Sequence, residues 1–161
     1  MIRINIICIG KIKEKYFTDA ISEYAKRLTA FCKFSIVELA EEKIRNNNPN
    51  QAEISEVIEA EGERIIKKIG SGDYVVAMCI EGKQLSSEEL SAMLDNAAIM
   101  GKSTVDFIIG GSYGLSNKVK SRADFKLSMG KMTFPHQMAR MVLSEQIYRS
   151  FEISTNGKYH K

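Results

Sequence analysis

Hydrophobic residues recur along this chain at two alternating spacings, and the alternation predicts strands separated by helices. Strand-like runs cover residues 2–9, 34–39, 74–80, 104–109 and 125–128. Apolar positions at helical spacing cover residues 15–31, 51–69 and 86–100, and a further helix begins at residue 135. The runs at 74–80 and 104–109 are almost uninterrupted, which is typical of strands buried on both faces of a sheet.

The order of these elements indicates an α/β fold. Strands that alternate with helices favour a parallel sheet covered by helices on both sides. The polar segment at residues 46–51 is the one candidate hinge, and it is too short to separate two domains. Ser86 followed by Glu89 is a capping-box pair, which predicts a helix start at that point. We therefore expect a single domain over residues 1–161.

The composition is that of an ordinary globular protein, with 44% hydrophobic and 27% charged residues. No apolar run reaches the length needed to span a bilayer. The three cysteines, Cys8, Cys32 and Cys79, are scattered in apolar contexts, so we expect reduced thiols and a cytoplasmic protein. These cysteines and the two histidines show no metal-ligand spacing, so we expect no metal cofactor.

The net charge of +3 hides an asymmetry between the two parts of the chain. Residues 1–115 carry 14 lysines and arginines against 17 acidic residues, whereas residues 116–161 carry 9 against 3. Both histidines, His136 and His160, also lie in the basic part. A basic segment that holds unusual polar groups suggests a polyanionic partner such as nucleic acid. The alternative is a solvated basic surface, which charge alone does not exclude.

Glycine-containing segments follow three of the predicted strands, at the edge of the sheet where parallel α/β folds bind ligands. These segments are residues 81–83, 110–115 and 129–133. The second is neither a dinucleotide-binding fingerprint nor a phosphate-binding P-loop, because the residues that those motifs require are missing. Alone it is either a ligand loop or a tight turn, but three such strand ends together favour a ligand site.

The segment 131–149 combines a loop, a helix start and polar groups that a helix does not need for its stability. Pro135 suits the first position of a helix, and apolar residues at helical spacing follow it. His136 and Arg140 share one helix face, where a histidine can accept a proton and an arginine can hold an anion. The alternatives are a hydrogen-bonding role for His136 at the helix start and a surface charge for Arg140.

Several motifs of the chain together resemble one known family. They lie at residues 10–16, 80–83, 107–115, 131–149 and 159–161. The chain resembles the RlmH family, SPOUT-class methyltransferases that modify N3 of a pseudouridine in large-subunit ribosomal RNA. The resemblance covers essentially the whole chain and is most specific across residues 131–149.

This resemblance implies an α/β sheet with a trefoil knot near the C-terminus, a feature that pattern reasoning alone does not propose. It also implies S-adenosylmethionine as the methyl donor, held in the knot. Matching positions assign the donor contacts to eight residues: Met78, Gly110, Met129, Gly130, Lys131, Met132, Thr133 and Phe134. The implied partners are ribosomal RNA within the ribosome or its large subunit and a second copy of the chain, whose C-terminal tail completes the active site. No membrane partner is implied.

The implied reaction requires N3 of the pseudouridine to lose its proton. The candidates for anion stabilisation and proton transfer are His136, Arg140, Tyr159 and His160, with His136 and His160 both possible bases. Two other functions stay open: a non-catalytic RNA-binding module with a small-molecule pocket, and an enzyme that acts on a free nucleotide. The family commonly has Arg-Gly-Glu-x at residues 155–158 and serine at Gly130, so the chain departs from its pattern at both places.

Overall fold

The computed structural model describes all 161 residues and contains five strands and five helices. The strands are β1 (Arg3–Ile9), β2 (Lys33–Leu39), β3 (Tyr74–Gln84), β4 (Thr104–Ile109) and β5 (Phe125–Ser128). The helices are α1 (Lys15–Leu28), α2 (Gln51–Ile66), α3 (Ser87–Ile99), α4 (Asn117–Arg122) and α5 (His136–Ser154). This order confirms the α/β class that the hydrophobic pattern predicts.

All five strands run parallel in one sheet with the order β2-β1-β4-β3-β5. Strand β4 lies in the middle, and each of its six residues is buried. This burial explains the unbroken apolar run, because a strand with helices over both faces has no solvent side. Since the strands are parallel, the loops that follow β3, β4 and β5 leave the sheet at the same edge.

Two hydrophobic cores lie on opposite faces of the sheet. The larger core packs Leu28, Leu94 and Ile147, from α1, α3 and α5, against the strands. The smaller core packs Ile65 of α2 and Val119 of α4 against the other face. Helices α1, α3 and α5 therefore cover one face of the sheet, and α2 and α4 cover the other. This confirms the prediction that helices cover both sides of the sheet.

Helices α1 and α2 end at Leu28 and Ile66, three residues earlier than predicted. Three other elements also differ from the sequence prediction. Strand β3 runs on to Gln84, with a register shift between Met78 and Lys83. Helix α4 has no counterpart in the prediction, because six residues are too few to show a helical hydrophobic period. Pro135 is the N-cap of α5 rather than its first residue, so the fixed φ of proline acts one position earlier than predicted.

The helices agree with the sequence prediction at the start of α3. The Ser86 side chain accepts from the Glu89 N–H, and the Glu89 carboxylate accepts from the Ser86 N–H.

None of the five helices is both long and apolar enough to cross a membrane. Strand order alone does not define a knot, so the trefoil knot stays a prediction.

A chain of polar side chains crosses the sheet near its amino edge. Ser35 Oγ donates to Asn5 Oδ1 (2.6 Å), and Asn5 Nδ2 donates to Asp106 Oδ1 (2.8 Å). The other oxygen of Asp106, Oδ2, is buried without a hydrogen-bond partner. Burial first, and then the nearby Asp73 carboxylate, raise the pKa of Asp106 to about 7. A proton on Asp106 therefore stabilises the folded state.

We expect Asp106→Asn to stabilise the protein above pH 7, because the amide resembles the protonated acid. The raised pKa means that the contribution of Asp106 to stability is complete below about pH 4 and is lost as the pH rises through about 7. The free energy of unfolding of the variant should exceed that of wild type by roughly 4 kcal/mol at pH 8 and match it near pH 4. Urea denaturation at both pH values measures this difference. A difference independent of pH would show that Asp106 does not titrate in this range.

Candidate functional site

Three segments enclose a cavity of about 490 Å³ at the carboxyl edge of the sheet. They are residues 78–81 of β3, the glycine loop (residues 110–115) after β4, and the final loop (residues 129–135) after β5. His136 and Ala139, on the first turn of α5, close one side of the cavity. Its size lies in the range of small-molecule sites, so the strand ends that the sequence singles out meet around a cavity large enough for a small ligand.

The glycine loop is a tight turn held by its own packing. The Gly114 N–H donates to the Gly111 carbonyl (3.1 Å), and Gly114 has a φ of +87°, which favours glycine. A Cβ on Gly110 would lie 2.9 Å from the Gly114 carbonyl carbon, so the turn itself requires glycine there. The loop also lines the cavity, and the two interpretations of this loop, tight turn and ligand loop, are therefore compatible.

A buried carboxylate supports the glycine loop from behind. Glu61 of α2 is 2% exposed, and a Cβ on Gly111 would lie 2.7 Å from Glu61 Oε1. Glu61 Oε2 accepts from the Glu42 N–H (3.1 Å), whereas Oε1 has no hydrogen-bond partner. Burial raises the pKa of Glu61. Gly111 thus allows α2 to approach the loop closely, a role that no local sequence motif signals.

The final loop keeps most of its main-chain polar groups free. Gly130 turns the chain with a φ of +122°, and its N–H donates to Ser128 Oγ (3.1 Å). The N–H and C=O groups of residues 131–134 form no hydrogen bond within the protein. Backbone donors and acceptors beside a cavity are available to a ligand, because no protein group occupies them.

A local excursion of β3, residues 79–82, forms the remaining wall. Met78 before the excursion and Lys83 after it both pair with Leu127 of β5. Gly82 permits the return, because a Cβ there would lie 2.7 Å from the β5 backbone. The excursion brings Glu81 to 2.5 Å from the ammonium of Lys120 on α4, and both side chains line the cavity. The hydrogen bond from Lys120 lowers the pKa of Glu81, so the cavity carries a charged pair.

Seven of the eight residues that the resemblance assigns to the donor line this cavity: Met78, Gly110, Met129, Gly130, Met132, Thr133 and Phe134. Lys131 is exposed and does not line it. The apolar wall also includes Ile109, Leu127 and Ala139, which the sequence did not single out as site residues. Two of these residues have a signal in the sequence. Ile109 lies at the end of a strand, and Ala139 lies at helical spacing from His136.

His136 is the one predicted catalytic side chain that lines the cavity. It is the first residue of α5 and is half-buried. Its ring makes no hydrogen bond within the protein and does not cap the helix, so the alternative of a hydrogen-bonding role at the helix start is wrong. The imidazole is therefore free to contact a molecule in the cavity.

Arg140 is buried beneath the site, with a side chain that is 1% exposed. Its Nη2 donates to the carbonyl oxygens of Ile9 (2.7 Å) and Gly10 (3.0 Å), and its Nη1 donates to Glu38 (3.1 Å). These contacts join the first turns of α5 to the ends of β1 and β2. The surface-charge alternative for Arg140 is wrong. The geometry supports a positioning role, and its role in holding a substrate anion stays a prediction.

The C-terminal tail, residues 157–161, turns back onto α5. Asn156 ends the helix with a φ of +54°, a conformation that asparagine tolerates, and the Gly157 N–H donates to the Glu152 carbonyl (2.7 Å). A Cβ on Gly157 would collide with the Glu152 carboxylate. Residues 155–158, where the chain departs from the family pattern, thus form the turn that directs the tail.

Tyr159 and His160 are held by α5 and α3. The Tyr159 hydroxyl donates to Glu145 (3.0 Å), and the Arg149 guanidinium lies 4.7 Å from the centroid of the Tyr159 ring. His160 Nδ1 lies 3.2 Å from Arg149, and His160 Nε2 lies 2.8 Å from Glu88. Because arginine is only a donor, Nδ1 accepts and Nε2 carries the proton. Neither tail residue lines the cavity of the same chain.

Two solved structures share this fold. A probable methylase family protein from Haemophilus influenzae Rd KW20 aligns with a TM-score of 0.51 at 15% identity, covering 99% of this chain and 70% of that chain. The tRNA (m1G37) methyltransferase from Aquifex aeolicus aligns with a TM-score of 0.50 at 15% identity, covering 92% of this chain and 69% of that chain. At this identity the likeness establishes the fold alone.

Sequence relatives define the class. The family described as "Predicted SPOUT methyltransferase" matches residues 2–160, so the fold is that of a SPOUT methyltransferase. Ribosomal RNA large subunit methyltransferase H of Streptococcus uberis is 52% identical over 159 residues, which are 99% of each chain. Its counterpart in Clostridium acetobutylicum is 50% identical over 161 residues, 98% of this chain and 99% of that one. The chain belongs to this family of ribosomal RNA large subunit methyltransferases, which confirms the resemblance.

We expect Arg140→Ala to destabilise the protein by about 3 kcal/mol, because it leaves two main-chain carbonyls and Glu38 without their buried partner. Arg45→Ala is the control, since Arg45 is exposed and forms no ion pair, and it should change the free energy of unfolding by less than about 0.5 kcal/mol. Chemical denaturation measures both. If Arg140→Ala keeps wild-type stability while methyl transfer is lost, Arg140 acts on the substrate and not on the fold.

Proposed function

We propose that this protein transfers a methyl group from S-adenosylmethionine to N3 of a pseudouridine in large-subunit ribosomal RNA. The observation that carries the proposal is the cavity that three strand-end loops of a SPOUT methyltransferase form around His136. The full-length relatives, named ribosomal RNA large subunit methyltransferase H, support the same class of substrate.

The residues present fit the donor. Met78, Ile109 and Leu115 offer apolar walls to a nucleoside, and the free main-chain groups of residues 131–134 suit the polar edge of a purine. The Glu81–Lys120 pair lies in the same cavity and suits the amino and carboxyl groups of a methionine moiety. When bound, the donor supplies a methyl group that its sulfonium centre already activates.

The protein must then align N3 with that methyl group and remove the N3 proton. His136 lines the cavity with an unengaged ring, so it has no hydrogen bond to break before it contacts a bound base. His160 presents a protonated Nε2 to Glu88 and an accepting Nδ1 to Arg149, so it needs new partners before it can accept a proton. His136 is accordingly the better supported base, with His160 the second candidate.

The second copy of the chain supplies the rest of the site in this proposal. Tyr159 and His160 are ordered by contacts with α5 and α3 and lie outside the cavity of their own chain. In a homodimer that places α5 next to the partner, these residues reach the partner's cavity. There Tyr159 offers an aromatic face for stacking on the target base, as aromatic side chains do with unpaired RNA bases.

The substrate in this proposal is an assembled ribosomal particle in the cytoplasm. A chain of 161 residues has few contacts with which to select one base, so the folded particle must present it. The excess of positive charge over residues 116–161 provides phosphate contacts that are independent of sequence.

We expect the protein to add one methyl group to a pseudouridine of large-subunit ribosomal RNA when it is incubated with S-adenosylmethionine and large-subunit particles from cells that lack it. Mass spectrometry of the digested RNA measures the modification and its position. Thr133→Trp is the matched variant, because Thr133 is exposed, lines the cavity and can be enlarged without disturbing the core. It should lose donor binding and methyl transfer together. Donor binding without transfer to any RNA would contradict the proposal and favour the non-catalytic module.

Deleting residues 159–161 should remove most methyl transfer while the fold and donor binding persist. The tail contributes one aromatic contact with Tyr148 and a few hydrogen bonds, so its loss should cost about 1–2 kcal/mol of stability. Mixing this truncated chain with full-length Thr133→Trp should restore activity, because one site of the heterodimer then combines an intact cavity with an intact tail. If heterodimers form and stay inactive, the tail does not act across the interface.

A further inference from the structure

Two exposed lysines lie beside the cavity, in the part of the chain whose net charge is negative. Lys11 and Lys13 belong to the lysine loop (residues 10–14), which follows β1. Neither side chain forms an ion pair, whereas the neighbouring Lys15 pairs with Asp19 at 2.6 Å. The loop contains one acid, the exposed Glu14, so it keeps a net positive charge.

The main chain of the lysine loop is fixed to the start of α5. Gln137 Oε1 accepts from the N–H of Lys13 (2.9 Å) and from the N–H of Glu14 (3.2 Å). Gln137 is adjacent in sequence to His136, which lines the cavity. The loop is therefore held next to the residue that the proposed reaction needs.

Two further contacts fix the other end of the loop. The Ile12 N–H donates to Glu38 Oε2 (2.8 Å), and the same carboxylate oxygen accepts from Arg140. The Gly10 carbonyl accepts from Arg140 Nη2 (3.0 Å). The backbone of the loop is thus held by hydrogen bonds, while its two lysine side chains extend into solvent without partners.

Sheet order places this loop at the flank of the cavity. Strand β1 pairs with β4, with Cys8 opposite Ile109, so the lysine loop and the glycine loop leave neighbouring strand ends. The final loop follows β5 at the other end of the sheet order and carries the exposed Lys131. Positive charge therefore lies on two sides of the cavity.

We propose that Lys11 and Lys13 bind backbone phosphates of the ribosomal RNA that carries the target base, and so position that base over the cavity. This inference rests on the proposed function. It adds a second phosphate-binding surface, from the acidic part of the chain, to the basic segment 116–161. A fixed backbone with free ammonium groups suits phosphates, because lysine acts as a mobile point charge that needs no single geometry.

The test compares wild type with K11E/K13E and with K67E/K68E. Lys67 and Lys68 are also exposed and without ion pairs, but they lie between α2 and the start of β3, whereas the lysine loop follows the end of β1. The control therefore makes the same change of charge at the opposite edge of the sheet. Co-sedimentation with large-subunit particles measures binding without donor, and calorimetry measures the affinity for S-adenosylmethionine without RNA. Methyl transfer to the same particles measures kcat and KM over a range of salt concentrations.

We expect K11E/K13E to weaken particle binding and raise KM at least tenfold, with donor affinity unchanged. The slope of log affinity against log salt should fall by about 1.5, as two lost phosphate contacts predict. The control should stay within twofold of wild type. Equal effects of the two variants would overturn the inference, since only the total charge would then matter.

Two arms separate the remaining outcomes. Deproteinised large-subunit RNA should show the same loss of binding by K11E/K13E, and a loss seen only with particles would assign the lysines to a ribosomal protein instead. If wild type binds particles through these lysines and binds donor but transfers no methyl group, the proposed function fails and the phosphate contact stands. If wild type transfers the methyl group and K11E/K13E does so equally well, the function stands and the phosphate contact fails.

Discussion

The buried guanidinium of Arg140 is the interaction on which the geometry of the site depends. It joins α5 to the ends of β1 and β2 through two main-chain carbonyls and Glu38. The first turn of α5 carries His136 and Gln137, so this one side chain fixes both a wall of the cavity and the anchor of the lysine loop. An arginine suits the task, because its fork of donors satisfies several acceptors at once in a place that water does not reach.

The cavity itself follows from the parallel sheet. Strands β3, β4 and β5 end at one edge. Glycines at the ends of β3 and β4 permit close approaches that a Cβ would prevent, whereas Gly130 after β5 turns the chain with a positive φ. Gly82 lets the β3 excursion return to β5, and Gly110 lets the glycine loop close on itself. The backbone groups of residues 131–134 in the final loop have no protein partners, so a small chain can offer hydrogen bonds to a ligand without many polar side chains.

Much of the fold could be predicted from the sequence, because burial leaves a periodic signal. The runs at β3 and β4 identify central strands, and the Ser86–Glu89 pair identifies the start of α3. The extension of β3 to Gln84 leaves no such signal, because it depends on pairing with β5 on the far side of a register shift. Helix α4 is hidden for a related reason, since a single turn and a half cannot show a period.

The sequence predicted which residues line the candidate site better than it predicted what their side chains do. Strand-end glycines located the loops, and the family resemblance supplied donor contacts that largely line the cavity. The burial of Arg140 could not be predicted, because the i,i+4 spacing from His136 does not show that the guanidinium reaches the end of β1. The Asn156-Gly157 turn that directs the tail also depends on tertiary contacts, since Gly157 is required by the neighbouring Glu152 carboxylate.

The most direct measurement is an experimental structure of the protein with S-adenosylhomocysteine, the product that methyl transfer would leave. The account predicts the nucleoside between the glycine loop and the final loop, hydrogen-bonded to main-chain groups of residues 131–134, with His136 beside the sulfur and Arg140 still bound to Ile9 and Gly10. Binding of the product at any other place, or a final loop that contacts it only through side chains, would contradict the account.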